Sequence, residues 1–207
     1  MFADREEAGR QLAAKLSNYR GTDAVILALP RGGVVVGKKI AQELSIPLDI
    51  IAVRKIGHPN APEFALGAVD EHGTQVLNEM ETKDVDPTWL KQETARETEE
   101  AKRRSSVYRG GKKALPLTGK TAIIVDDGVA TGYTMRLAIK AVKAQRPARI
   151  ITAAPVSSVE AAENISNEAD EFITLEPPEE FLGAVGAHYI RFEQVKDAEV
   201  IRLLKRQ

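Results

Sequence analysis

The residues best suited to chemistry stand together in Ile123-Ile124-Val125-Asp126-Asp127-Gly128-Val129-Ala130-Thr131-Gly132-Tyr133-Thr134-Met135. A continuous apolar run, the pattern of a strand buried on both faces, delivers two adjacent carboxylates to its carboxyl end. A short loop with Gly128 and Gly132 follows, carrying hydroxyls at Thr131 and Thr134, and a helical pattern then begins. Loop N–H groups, a helix N-terminus and two hydroxyls together make a pocket for a phosphate monoester. Carboxylates beside such a pocket would repel the phosphate unless they served another group. Hydrogen bonds to sugar hydroxyls, direct or through Mg²⁺, are that service. A ribose with a phosphate at one end satisfies both halves, whereas helix capping alone would explain an isolated Asp-Asp-Gly but not the whole string.

Two more loops carry cations at the ends of apolar runs. Pro30-Arg31-Gly32-Gly33 is a sharp turn with one guanidinium and exposed N–H groups leading into a helix, a plausible grip for pyrophosphate. Val53-Arg54-Lys55 places two cations at a second strand end, with His58 just beyond. Other nucleotide signatures fail. Gly119-Lys120-Thr121 resembles the end of a P-loop, but Ala114 stands where its first glycine belongs, and the strand follows rather than precedes it. Gly32, Gly33 and Gly37 lack the G-x-G-x-x-G spacing.

The elements that must position these loops follow from periodicity. Residues 3–19 read as an amphipathic helix through Leu12, Leu16 and Tyr19, ended by Gly21. Apolar strands are expected at 24–29, 48–53, 122–125, 150–154 and 172–175, with helices near 32–44, 132–145 and 158–167. Strands alternating with helices mean βαβ units and a doubly wound five-stranded parallel sheet. With strand order 2-1-3-4-5, strands 1 and 3 are neighbours where the winding reverses, so the Arg31 and Asp126 loops meet at the place where such sheets bind ligands. The stretch between strands 2 and 3 is too long for a plain crossover. It reads as an inserted flap of about 55–118, with a hairpin, Leu66–Val69 and Gln75–Leu77, and a charged helix from Pro87 to Tyr108. The glutamates from Glu93 to Glu100 read as solvent-facing. Arg109, with Lys102-Arg103-Arg104 and Lys112-Lys113, reads as a solvated helix end, the minor alternative being a cover over pyrophosphate. The core is expected at about 1–54 and 119–170, and a C-terminal hood at about 171–207.

Composition narrows the function. The chain has 207 residues, 43% hydrophobic and 29% charged, as expected of one globular α/β domain. A formal net charge of −1 argues against a nucleic-acid partner. There are no cysteines, which excludes disulfides and thiol catalysis, and three scattered histidines leave little room for a histidine metal site. Neither a signal peptide nor a membrane-length apolar run is visible, so a cytoplasmic address and no membrane partner are expected.

The whole string from Ile123 to Thr134 resembles the signature of the type I phosphoribosyltransferases, which bind 5-phosphoribosyl 1-pyrophosphate (PRPP). The resemblance implies that Asp126 and Asp127 hold the ribose hydroxyls and Mg²⁺, and that Val129, Ala130, Thr131, Gly132, Tyr133 and Thr134 cradle the 5′-phosphate. It implies a pyrophosphate site of Arg31, Gly32 and Gly33 with Arg54 and Lys55, and a non-proline cis peptide at Pro30–Arg31. The end of the chain is similar to the hood of 6-oxopurine enzymes, which makes Phe172 and Ile173 the base-binding positions. Two features depart from those enzymes. Ala130 replaces an acid, and Ala154-Pro155-Val156-Ser157 lacks their lysine, so the acceptor base stays open. Tyr108-Arg109-Gly110-Gly111 and Ala184-Val185-Gly186 are similar to a bacterial and archaeal group within the family. The implied activity is transfer of ribose 5-phosphate from PRPP to a nitrogen nucleophile, with pyrophosphate released. A homodimer is the expected assembly, and no general base is identifiable. A non-catalytic PRPP sensor and a phosphohydrolase using the same pocket are the alternatives.

Overall fold

The computed structural model describes residues 1–205. The elements run α1 (Arg5–Lys15), β1 (Val25–Ala28), α2 (Gly32–Leu44), β2 (Leu48–Ile50), β3 (Val53–His58), β4 (Ala61–Asp70), β5 (Gln75–Leu77), α3 (Glu79–Thr82), α4 (Pro87–Arg109), β6 (Thr121–Val125), α5 (Tyr133–Lys143), β7 (Arg149–Ala154), α6 (Val159–Ser166), β8 (Glu171–Thr174) and α7 (Asp197–Lys205). Five strands form a parallel sheet in the order β2-β1-β6-β7-β8, the doubly wound order under which the two strand-end loops meet.

The central strands are apolar throughout because both faces are covered. Successive side chains point to opposite faces. Ile26, Ala28, Ile123 and Val125 therefore join a core with Leu12, Ile40 and Val200 of α1, α2 and α7. Val25, Leu27, Ala122 and Ile124 join another with Met135, Ile139 and Ala161 of α5 and α6. Ala28 lies in register with Val125, and Leu29 N–H donates to Val125 O at 2.9 Å. The loops after β1 and β6 therefore leave the sheet side by side. No helix among the described residues is long and apolar enough to cross a membrane.

The segment between β2 and β6 corrects three expectations. First, the apolar run of 48–53 is two strands rather than one. Ile51 N–H makes a last bond to Ala28 O, and Val53 then starts β3, antiparallel to β4 in a separate three-stranded sheet β3-β4-β5. An unbroken apolar run reports burial but not which neighbour supplies it, so the change of partner is silent in the sequence. Arg54 and Lys55 consequently lie on a hairpin strand, not at the end of a core strand. The expected hairpin is present as β4–β5, with the buried Asp70 accepting from His72 N and Thr74 N at 2.8 Å each to shape its turn.

Second, Glu97 is buried rather than solvent-facing, and Arg54 Nε donates to its Oε2 at 2.6 Å. Third, Arg109 is no solvated helix end. Its guanidinium donates to Asp49 Oδ1 at 2.9 Å, to the Ile50 carbonyl at 2.7 Å and to Ser105 Oγ at 2.5 Å, with Glu71 3.4 Å away. These two arginines fasten the charged helix α4 to the hairpin sheet and to β2.

Candidate active site at the strand ends

Two loops meet where β1 and β6 end. The Pro30–Arg31 bond is cis, as the resemblance implied. A Cβ on Gly32 would lie 1.8 Å from Asp127 Oδ2, and one on Gly33 would lie 2.8 Å from Val125 O and 3.0 Å from the Asp126 Cα. Only glycine lets the two loops approach this closely.

The helix starts differ in a telling way. α1, α3, α4 and α6 each begin with a side chain bonded to the first-turn N–H groups, from Asp4, Asn78, Asp86 and Ser158. α2 and α5 have no such cap; Arg31 and Gly132 (φ 78°) occupy the capping positions. The first N–H groups of a helix have no intrahelical acceptor, and the dipole makes this end attractive to anions. Both of these uncapped starts belong to the loops singled out from the sequence.

Within the second loop, Thr131 is exposed and Thr134 half-buried at the mouth of α5. Val129 differs from its neighbours. Its N–H donates to Val156 O at 2.9 Å and its carbonyl accepts from Ser158 N at 3.0 Å, so its backbone anchors the loop to the chain leaving β7. Ser158 Oγ adds a bond to Ala130 O at 2.7 Å. Val129 is thus a loop anchor and not a phosphate donor.

The acid pair is held from below by residues that sequence reasoning missed. Arg5 Nε donates to Asp127 Oδ2 at 2.6 Å, its guanidinium carbon lies 3.8 Å above the Phe192 ring, and another of its nitrogens donates to Glu193 O at 2.8 Å. Tyr189 donates its hydroxyl to Asp127 O at 2.6 Å and stacks on Phe192. Burial and the neighbouring Asp127 carboxylate push the Tyr189 hydroxyl well above its usual range. The carboxylate of Asp126 accepts Asp127 N–H at 2.8 Å. Burial, followed by the adjacent Asp127 charge, raises Asp126 well above the ordinary carboxylate value. An acid raised in the folded state loses its proton first in the unfolded chain, so stability falls as pH climbs from the ordinary value through the raised one, and the deficit is complete above it. Asp126→Asn keeps the acceptor oxygen and removes that deficit. At pH 7.5 its melting temperature is expected to exceed wild type by ~2–4 °C, the shift that about 1 kcal/mol produces in a chain of this size. The gain should vanish near pH 4 in a calorimetric series, and a lower melting temperature at both pH values would contradict the assigned burial.

The remaining candidates are placed as follows. Arg31 turns toward α7, its guanidinium 3.4 Å from Asp197 Oδ1. Arg54 is engaged by Glu97, and Lys55 lies opposite Ala68 on the hairpin. Phe172 and Ile173 lie half-buried in β8, the last strand of the parallel sheet. As adjacent residues of β8 they point to opposite faces, Phe172 packing on the α5–α6 core and Ile173 on the α1–α2 core. A concavity of about 380 Å³, bounded by Thr131, Tyr133, Met80, Glu160 and Asn164, opens beside the second loop. Another cavity of about 390 Å³, near Ile51, Arg109, Leu115 and Gln145, contains none of the loop residues.

Known proteins resemble this chain in sequence and fold. A model of the phosphoribosyl transferase domain matches residues 3–189. Two curated Mycobacterium tuberculosis proteins, from strains CDC 1551 and H37Rv, carry provisional phosphoribosyl transferase names. Each is 39% identical over 208 residues, covering all of this chain and 47% of its own length. The chain therefore spans about half the length of the curated relatives it matches. The crystal structure of TT1426 from Thermus thermophilus is 41% identical, covers 98% of this chain and 97% of its own, and superimposes with a TM-score of 0.80. Because the domain match runs over most of the chain and includes every strand of the parallel sheet with both strand-end loops, this chain belongs to the type I phosphoribosyl transferase family.

Proposed function

We propose that this chain binds PRPP with Mg²⁺ and transfers its ribose 5-phosphate to a nitrogen nucleophile, a nucleobase-like acceptor, with release of pyrophosphate. The observation that carries this reading is the pair of uncapped helix starts, α2 and α5, on either side of Asp126 and Asp127. The N–H groups from Thr131 to Thr134 and the two threonine hydroxyls take the 5′-phosphate. Asp126 and Asp127 orient the ribose hydroxyls, and Arg31 with the Gly32–Gly33 backbone takes the pyrophosphate. No group of three or more potential metal ligands occurs among the described residues. The two carboxylates therefore fit an ion that draws most of its oxygen ligands from substrate and water. When bound, Mg²⁺ supplies charge neutralisation at the leaving pyrophosphate. The protein's share is to position donors at the developing charge and to keep water from an oxocarbenium-like centre.

PRPP with Mg²⁺ should raise the melting temperature by mass action, and pyrophosphate should appear when a panel of bases is added. A stabilised protein that releases no pyrophosphate with any base would be a sensor instead. The two loops are separable. Arg31→Ala should bind ribose 5-phosphate nearly as wild type but lose PRPP affinity by roughly 10- to 100-fold, since a hydrogen bond to a charged group is worth about 1.5–3 kcal/mol. Thr131→Val should weaken both ligands alike. Equal losses of the two ligands in Arg31→Ala would mean that the loops are not divided this way.

A further inference from the structure

One carboxylate outside the acid pair gathers donors from three elements. Asp197, in the first turn of α7, receives the Tyr108 hydroxyl on Oδ1 at 2.7 Å and a guanidinium nitrogen of Arg31 on the same oxygen at 3.4 Å. Its Oδ2 lies 3.7 Å from a guanidinium nitrogen of Arg103. Tyr108 and Arg103 come from α4, whereas Arg31 immediately precedes the uncapped start of α2. An acid in the first turn of a helix is ordinary. That alone does not explain why the hydroxyl of an otherwise buried tyrosine and the cation of the Arg31 loop both aim at it.

We propose that Arg31, Arg103 and Tyr108 form the pyrophosphate subsite of this chain, and that the Asp197 carboxylate occupies it as an internal anion which pyrophosphate displaces. The proposal rests on reading the Arg31 loop as the pyrophosphate grip and names the residues that complete it.

Three observations support it. The Arg103 guanidinium is held in place independently of Asp197, whereas Arg31 meets only Asp197 among the described residues and is the arm that pyrophosphate would take over. Glu100 takes Arg103 through two bonds of 2.7 and 2.9 Å and Arg104 through one of 2.7 Å. Arg103 and Arg104 hold the Glu100 carboxyl down at about 2, so it stays ionised as their fixed partner. The contacts of Asp197 with the two arginines are long and partly exposed, and such pairs are weak. A multiply charged pyrophosphate offers more acceptor oxygens to the same donors. Finally, α7 is seated by apolar packing, Val200 being fully buried and Ile201, Leu203 and Leu204 half-buried on the same core, so it loses one tie rather than its seat when Asp197 is released. The charges around the subsite are Arg31, Arg103 and Arg104 against Asp197 and Glu100, so release of Asp197 leaves a net positive pocket.

Asp197→Asn tests this, because the amide oxygen can still accept from Tyr108 while the competing charge is gone. With inorganic pyrophosphate as the probe in calorimetric titrations, Asp197→Asn should bind roughly five- to tenfold more tightly than wild type, a gain in the usual range of coupling between competing groups. Ribose 5-phosphate should bind both alike. Arg103→Gln should weaken pyrophosphate by a comparable factor and leave ribose 5-phosphate unchanged. In the wild type, pyrophosphate should speed amide exchange along α7. Pyrophosphate bound equally or more weakly by Asp197→Asn, or α7 exchange unchanged or slowed, would show Asp197 to be a structural tie and overturn the proposal. If pyrophosphate behaves as expected while PRPP does not bind, the subsite stands and the proposed transfer reaction fails.

Discussion

Changing Asp126 and Asp127 together to asparagine is expected to lower PRPP affinity by two orders of magnitude or more while leaving the protein folded. Both carboxylates leave the sheet at the end of β6, between the two helix starts that the proposed ligand would bridge. Hydrogen bonds to charged groups contribute about 1.5–3 kcal/mol each, so losing two is worth about 3–6 kcal/mol, or roughly 10²- to 10⁴-fold. Stability should change little, because two effects oppose. Relief of the half-buried, desolvated Asp126 charge beside Asp127 stabilises the fold. Loss of the ion pair between Arg5 and Asp127 removes part of that gain, although an asparagine oxygen can still accept from Arg5 Nε. Titration of PRPP with Mg²⁺ against the double variant, with melting curves as the folding control, decides the matter. A folded double variant that binds PRPP like wild type would remove the acid pair from the site.

The second large effect concerns stability and lies away from the strand-end loops. Arg109→Ala is expected to destabilise the protein by about 3–5 kcal/mol, the cost of leaving one partner of a buried pair without its counter-charge. Asp49 and Arg109 are 2.9 Å apart with side chains only 9% and 14% exposed. After truncation the Asp49 carboxylate would keep only the N–H groups of Ile50 and Leu115, at 2.7 and 2.8 Å. In a chain of this length that corresponds to a melting-temperature loss of roughly 6–20 °C. Neutralising both partners, as Asp49→Asn with Arg109→Met, should recover much of the loss, because the unpaired buried charge is the main penalty. Denaturant titrations of the single and double variants would show this, and a single variant within about 1 kcal/mol of wild type would mean that water screens the pair.

Much of the architecture was legible before any coordinates. The strands of the parallel sheet and the two strand-end loops follow from short-range signals: apolar runs of strand length, helical spacing between them, and glycines at sharp turns. Such signals are local because the backbone conformation and face burial of a segment depend on its own residues. The acid pair and the glycine-threonine loop after it were legible as one candidate site for the same reason, since all its residues lie within one stretch of chain. Partner choice was not. Arg5 reaches Asp127 across 122 residues and Arg31 reaches Asp197 across 166, and no local pattern records such a pairing. Glu97 and Arg109 looked solvated because a charged helix normally is. Only the packing of α4 on the hairpin sheet and β2 removed their water and supplied counter-charges. Val53 shows the same limit in the backbone: its side chain encodes burial, while the tertiary structure chose an antiparallel hairpin partner over the parallel sheet. Phe172 and Ile173 were drawn into the two cores because alternation along β8 aims neighbours at opposite faces. Sequence therefore determined which segments are buried and which loops carry acids, cations and bare helix starts. The folded chain alone decided which distant charge each of those groups meets, because that depends on the packing of elements far apart along the backbone.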